Sequence, residues 1–398
     1  MRRGVGRFLG LGLPSDAVGS GHRRYAQVDP EARDAGVLIG IVQGGDKRDQ
    51  AWGSTKLDSV ASDPFLSQFL VYFHGGRDLD SADLARFTAA LDAGGVTPQR
   101  LGSLMTGGQT KPIPASDLAH LLKRMAERAD GILPALETLQ MRVFGDRQDK
   151  KEIAPELIDF ARVLMVDHRI YAANSNRSDH ELGSLAPLIL AGPKGEATAT
   201  AICRALRQAS ALVDYRSERS FADLAKELMS RFPRVVLDEI MLYQEDRNSR
   251  NLAATFFGGE VANDVDGNSS AREIDSDVIL AWVSEYPGAR AQTLAGLVPY
   301  SEAIGEDKRL SWTRLARGLI GAAPDPLPVL RQFEERFFTG VSSGPFSARF
   351  VRRKPMVEEL RDHHDRRVRG WADAAIQRLD EDIVRWDARD REERSLFE

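Results

Sequence analysis

A single cysteine, Cys203, stands among 398 residues, so no intrachain disulfide can form. That usage fits a reducing compartment, and a cytoplasmic protein is expected. No run of about eighteen apolar residues occurs, which excludes an ordinary membrane-spanning helix and, with it, a membrane partner. Neither sign of charge dominates. Lysine and arginine number 54 and acidic residues 59, for a net charge of -5. Such balance argues against a dedicated nucleic-acid binder or a surface built for anionic membranes, while leaving room for a local basic face. Long β-type alternation is also missing. What remains is an ordinary globular composition, 42% hydrophobic and 28% charged. The length exceeds a single core, so two or more domains, or one extended array, are expected.

Residues 1–60 are glycine-rich and weakly periodic. Arg2 and Arg3 precede Phe8-Leu9 as in a secretory signal, but glycine and Arg7 interrupt the apolar run. This part reads as an irregular leader, partly disordered or carrying loosely packed short helices. Residues 61–262 read as a helical array. Apolar residues recur at helical spacing, at Phe65, Phe69, Leu70 and Phe73, then at Leu84, Phe87 and Leu91, then at Leu118, Leu121, Leu122 and Met125. Gly75-Gly76 and Gly94-Gly95 punctuate the first two, and Ser81–Leu84 supplies capping chemistry. Further helices are expected at Ile132–Val143, from Pro155 onward, and over Leu182–Ala191, Thr198–Val213, Phe221–Phe232 and Val235–Tyr243. Residues 263–277, polar and containing glycine, read as a loop between two helical regions. The fold class expected is all-α, built from antiparallel helix pairs.

The C-terminal region, 278–398, carries the clearest pattern. Its last helix has an apolar stripe at Ala372, Ile376, Leu379, Ile383 and Trp386. Acidic-to-basic pairs four apart are expected at Glu381/Arg385, Asp387/Arg391 and Asp390/Arg394, each stabilising the helix by about 0.2–0.5 kcal/mol. One buried face and one charged face suit a helix that closes the end of a stack. An ordinary amphipathic helix and a short coiled-coil dimer are the alternatives.

Asp365, Val368, Arg369, Ala372, Ala375 and Ile376 follow the order D-x-x-V-R-x-x-A-x-x-A-I. This resembles the second helix of a HEAT repeat. The resemblance implies an α-solenoid in which the acidic residue opens the helix, the arginine lies along the groove between repeats, and small residues allow close approach. Leu280-Ala281-Trp282, Leu310-Ser311-Trp312, Ala323–Pro326 and Phe397-Glu398 are similar to helical C-terminal regions of bacterial multidomain proteins, some of them defence or signalling systems.

Chemistry-bearing motifs are few. Asp362-His363-His364 matches the triplet of the DHH phosphoesterases, but its context predicts a turn between helices. Asp264, Asp266, Asn268 and Asp275 sit at EF-hand offsets, yet Ser269 occupies the position that needs glycine. Gly40–Gly45 and Gly102–Lys111 miss the phosphate-loop spacing. Cys203 reads as a buried core thiol, and Ser342-Ser343-Gly344 has no catalytic context. Trp282, Trp312, Trp371 and Trp386 read as core. Arg349, Arg352, Arg353 and Lys354, with Phe346 and Phe350 between and before them, are candidate nucleic-acid contacts, set against Glu358, Glu359, Asp362 and Asp365 nearby. No catalytic residue, metal ligand set or cofactor is expected. The expected function is a non-enzymatic scaffold for a protein partner, with nucleic-acid binding and metal-dependent hydrolysis as alternatives.

Overall fold

A computed structural model describes residues 47–64, 67, 70, 78–105, 110–173, 178–212, 221–244, 246–257, 275–305, 309–338 and 346–395. Helix dominates them. They fall into two compact units that divide between Met165 and Val166. The expected loop at 263–277 lies outside the described residues up to 274, as does the leader up to residue 46.

The first unit holds α1 (Lys47–Ala61), α2 (Ser81–Ala93), α3 (Pro98–Met105), α4 (Ala115–Ala126), α5 (Ile132–Gln148) and α6 (Pro155–Met165). Local chemistry sets the boundaries of α2. Asp80 Oδ1 accepts from the Asp83 amide at 2.9 Å, and Asp83 Oδ2 accepts from the Asp80 amide at 3.2 Å. This reciprocal box satisfies two amides that the helix cannot. Gly94, at φ +80°, ends the helix in the left-handed region. The expected faces are the buried ones: Leu84, Phe87 and Leu91, then Leu118, Leu121, Leu122 and Met125. Helix α4 packs on α2, α5 and α6, and α3 packs on α5. Arg124 pairs with Asp92 at 2.7 Å, and Arg128 donates to the Leu91 carbonyl at 2.8 Å. Both links join C-terminal ends, so α2 and α4 run parallel.

The second unit begins with α7 (His168–Ala172), α8 (Ser178–Ile189), α9 (Gly195–Ser210), α10 (Ala222–Arg231) and α11 (Pro233–Val236). Helix α11 runs into a π-helical turn, Leu237–Met241, before α12 (Arg247–Phe257), α13 (Ser276–Glu285) and α14 (Pro287–Ala295). A short antiparallel hairpin follows, β1 (Ser301–Ile304) with β2 (Arg309–Trp312), Ser301 opposite Trp312. The unit ends with α15 (Arg314–Ala322), α16 (Leu327–Phe338), α17 (Phe346–Glu358), a 3-10 turn at Glu359–Asp362, and α18 (Arg366–Ser395). The hairpin corrects the expectation that Leu310-Ser311-Trp312 is helical. Four residues per strand are too few for alternation to register.

Alternate helices are neighbours in much of this unit, α7 with α9, α8 with α10, α13 with α15, α14 with α16, and α16 with α18, while the consecutive α17 and α18 pack most extensively on one another. Several pairs run parallel. Arg314 on the first turn of α15 meets Asp277 on the first turn of α13 at 2.6 Å. Arg336, near the end of α16, donates to the Ala295 and Val298 carbonyls at the end of α14 (3.0 and 2.7 Å). Glycine makes close approach possible in two of them. A Cβ on Gly183 of α8 would stand 2.4 Å from Asp223 Cβ of α10, and one on Gly318 of α15 would stand 2.4 Å from Leu280 of α13. Helix α13 lies antiparallel to the α11 segment, with Trp282 Nε1 donating to Asp238 and Arg234 pairing with Glu285.

Buried arginines staple helix ends. Arg290 donates to the Trp282 carbonyl at 2.6 Å, and Arg353 donates to that of Phe337. With Arg336 these place positive charge on carbonyls that lack intrahelical partners, at the negative end of each helix dipole. In the first unit the buried Arg142 donates instead to the Thr110 and Ile113 carbonyls of the turn before α4 (2.6 and 3.0 Å). Around the staples of the second unit lies an aromatic core of Tyr300, Trp312, Phe333, Phe337 and Trp371, with ring centroids 4.8–6.2 Å apart in the contacting pairs. Trp312 Nε1 donates to the Met356 carbonyl at 2.7 Å, pinning α17 where the helix tightens into its 3-10 turn.

Candidate functional site

Helices α16 and α18 enclose a groove of about 600 Å³ lined by Leu327, Arg331, Glu334, Glu335, Trp371 and Arg378. Its lining follows from helical spacing: Leu327, Arg331, Glu334 and Glu335 share one face of α16. The hub is Glu334, whose side chain is 14% exposed. Trp371 Nε1 donates to Glu334 Oε2 at 2.9 Å, and Arg378 pairs with Glu334 Oε1. One carboxylate thus ties two turns of α18 to α16. Trp371 also packs on Phe337, at 6.2 Å between centroids. Arg331 is exposed and has no partner among the described residues. At the head of the groove, Arg367 reaches the Asp325 carboxylate and the Pro324 carbonyl (3.4 and 3.1 Å). The site therefore offers an indole edge, one uncommitted guanidinium and fixed walls.

The residues of the HEAT-like pattern all lie on α18 or just before its first turn. Val368, Ala372, Ala375 and Ile376 are buried. Asp365 opens α18, accepting from the Arg367 amide at 2.7 Å. Arg367 holds the Asp365 carboxyl down at about 2. Arg369 does not lie along an inter-helix groove. It bends back onto the His363 and His364 carbonyls (2.7 and 2.9 Å). The stapling of neighbours falls instead to Arg290, Arg336 and Arg353.

Of the four candidate nucleic-acid contacts on α17, one is buried and three reach solvent to differing degrees. Arg353 is 2% exposed and stacks over the Tyr300 ring at 6.0 Å. Lys354 pairs with Asp380 at 2.6 Å. Arg349 is half-buried and Arg352 exposed. Phe350 is buried.

On α18, Asp387 pairs with Arg391 as expected. Arg385 pairs with Asp382 rather than Glu381, whose Oε1 accepts from Gln377 at 3.2 Å. Asp390 accepts from the Ser347 amide and hydroxyl (3.0 and 2.7 Å), capping the start of α17. Of the expected core tryptophans, Trp282, Trp312 and Trp371 are buried, and Trp386 is half-buried beside Arg389.

Cys203 is fully buried, and burial reinforced by Glu239 pushes its thiol up to about 12, which removes nucleophilic character at neutral pH. Asp275 caps α13 through the Asp277 amide at 2.9 Å, while Asp264, Asp266 and Asn268 lie outside the described residues. Lys111 pairs with Asp149 at 3.1 Å. Gly40–Gly45 and Ser342-Ser343-Gly344 also fall outside the described residues. Among the described residues, no three His, Cys, Asp or Glu side chains converge as metal ligands, and no helix is long and apolar enough to cross a membrane.

Sequence reasoning missed Arg331, Glu334 and Arg378. Charges spaced three, four and seven apart were visible, but the sequence held no signal that α16 and α18 face one another. The fold and site define a predominantly helical protein with a polar-aromatic groove. No protein-family model matches the chain, and comparisons with curated proteins and with solved structures find no match.

Proposed function

We propose that the chain is a cytoplasmic, non-enzymatic scaffold of stacked, HEAT-like helix pairs that holds a protein partner in the α16–α18 groove. Parallel packing of alternate helices supports the stacked arrangement, because a pile of helix hairpins places every second helix side by side. The observation that carries the docking reading is a groove whose lining includes both the edge of Trp371, held by Glu334, and the exposed, uncommitted Arg331. Tryptophan and arginine are the residue types that concentrate binding energy at protein interfaces, and a held indole loses little freedom on association. The burial of Arg353 and the pairing of Lys354 with Asp380 give a nucleic-acid-binding reading through Arg349, Arg352, Arg353 and Lys354 less support.

The test is parallel affinity capture from native-host extract with the wild-type chain and Arg331→Glu. A protein recovered by the wild type, confirmed with purified components, should lose about tenfold or more in affinity with the variant, or about 1.4 kcal/mol. Circular dichroism checks that the variant keeps its helix content. Equal recovery by both baits contradicts the groove as docking site.

A further inference from the structure

We propose that the turn from Asp362 to Asp365 is a proton-responsive hinge, in which protonation of His363 releases the start of α18. The Asp365 amide donates to His363 Nδ1 at 3.1 Å. That bond needs the lone pair on Nδ1, and a proton there turns the acceptor into a second donor facing an N–H. The rings of His363 and His364 stack at 4.3 Å between centroids, so charge on one opposes charge on the other.

The surroundings disfavour the imidazolium further. Arg369, on the first turn of α18, is bonded to both histidine carbonyls. The turn also precedes the first residues of a 30-residue helix, whose positive dipole end repels a cation. Asp365 is the opposing charge, but Arg367 already occupies its carboxylate through Nε and Nη2. Asp362 lies on the turn itself, Arg361 just before it pairs with Asp373 on α18, and Asp325 ahead of α16 pairs with Arg367. Burial, then His364, pushes the His363 imidazole below its ordinary 6.5.

The sign follows from linkage. A histidine whose folded value lies below its unfolded one contributes stability that is full above about 6.5 and is lost as pH falls through the folded value. What comes loose is local, because α18 stays anchored by the aliphatic contacts of Val368 and Ala372. Trp371 lies one turn further along, so the device reaches the groove wall, yet it stands whether or not a protein docks there.

Hydrogen–deuterium exchange of the full chain at about pH 8 and about pH 5, with times scaled for intrinsic chemistry, tests the hinge. Peptides spanning residues 360–371 should lose protection several-fold at the lower pH, and α5 peptides should not. His363→Asn keeps a carbonyl acceptor that cannot be protonated, and should hold its protection at both values. Unchanged wild-type protection, or an equal loss in His363→Asn, overturns the proposal. If the variant does not fold, NMR of the wild type decides: an Asp365 amide that loses protection in step with titration of His363 supports the hinge, and one that stays protected after His363 is protonated overturns it.

Discussion

Trp371 donates its indole N–H to Glu334 across 2.9 Å, and the same carboxylate holds Arg378 seven residues further along α18. The bond is partly screened from water, so its loss is felt. Glu334→Ala strands the buried Trp371 N–H, while the half-exposed Arg378 turns to water, and should cost about 1–3 kcal/mol. Glu334→Gln retains an acceptor for the indole and should cost less. Denaturant midpoints rank the two, and an unchanged midpoint for Glu334→Ala would contradict the tie between α16 and α18.

Asp390 and Asp387 sit one turn apart on α18 but do different work. Asp390 caps α17 by accepting two bonds from Ser347, whereas Asp387 forms an exposed pair with Arg391. Asp390→Ala should lower stability by about 0.5–2 kcal/mol, the cost of a lost helix cap. Asp387→Ala should change it by under about 0.5 kcal/mol. Thermal melts of the two variants separate these outcomes.

Gly183→Ala sets two effects against each other. Alanine favours a helix interior by about 0.8–1.0 kcal/mol over glycine. Its Cβ would stand 2.4 Å from Asp223 Cβ, close to the α10 backbone, so the two helices must part. Overpacking of this kind costs about 1–3 kcal/mol, and net destabilisation is expected. A stabilised variant would show that α8 and α10 are not in close contact.

Acid stability should reveal the Glu285 network. Hydrogen bonds from Arg234 and then Arg290 pull its carboxyl from 4.5 to about 2. A depressed carboxylate contributes stability above its unfolded value, lost as pH falls through the folded one. Glu285→Gln should therefore flatten the fall of the urea midpoint between pH 4.5 and about 2. An identical profile in the variant would rule out the network as a source of acid sensitivity.

Much of the helical framework was legible because punctuation and period agree. Pro114 before Leu118, Gly94 after Leu91, and the stripe from Ala372 to Leu379 each name an element and its buried face. The hairpin at Ser301–Trp312 was not legible, since Leu310 and Trp312 read equally as helix. Charge misled where burial reassigns it: Arg353 looks like part of a basic rim yet caps a helix under Tyr300, and Arg369 turns back on its own chain. The groove was hidden for a different reason. Glu334, Trp371 and Arg378 acquire meaning only once α16 and α18 are known to lie side by side, which no local pattern specifies.

The docking claim is tested most directly by placing a photo-crosslinking residue at position 331 in the native host, with position 163 on α6 as the exposed control. The account predicts one discrete crosslinked protein from position 331, absent from position 163 and lost when Trp371→Ala is added to a chain that still folds. No adduct from position 331, or the same adducts from both positions, would contradict it.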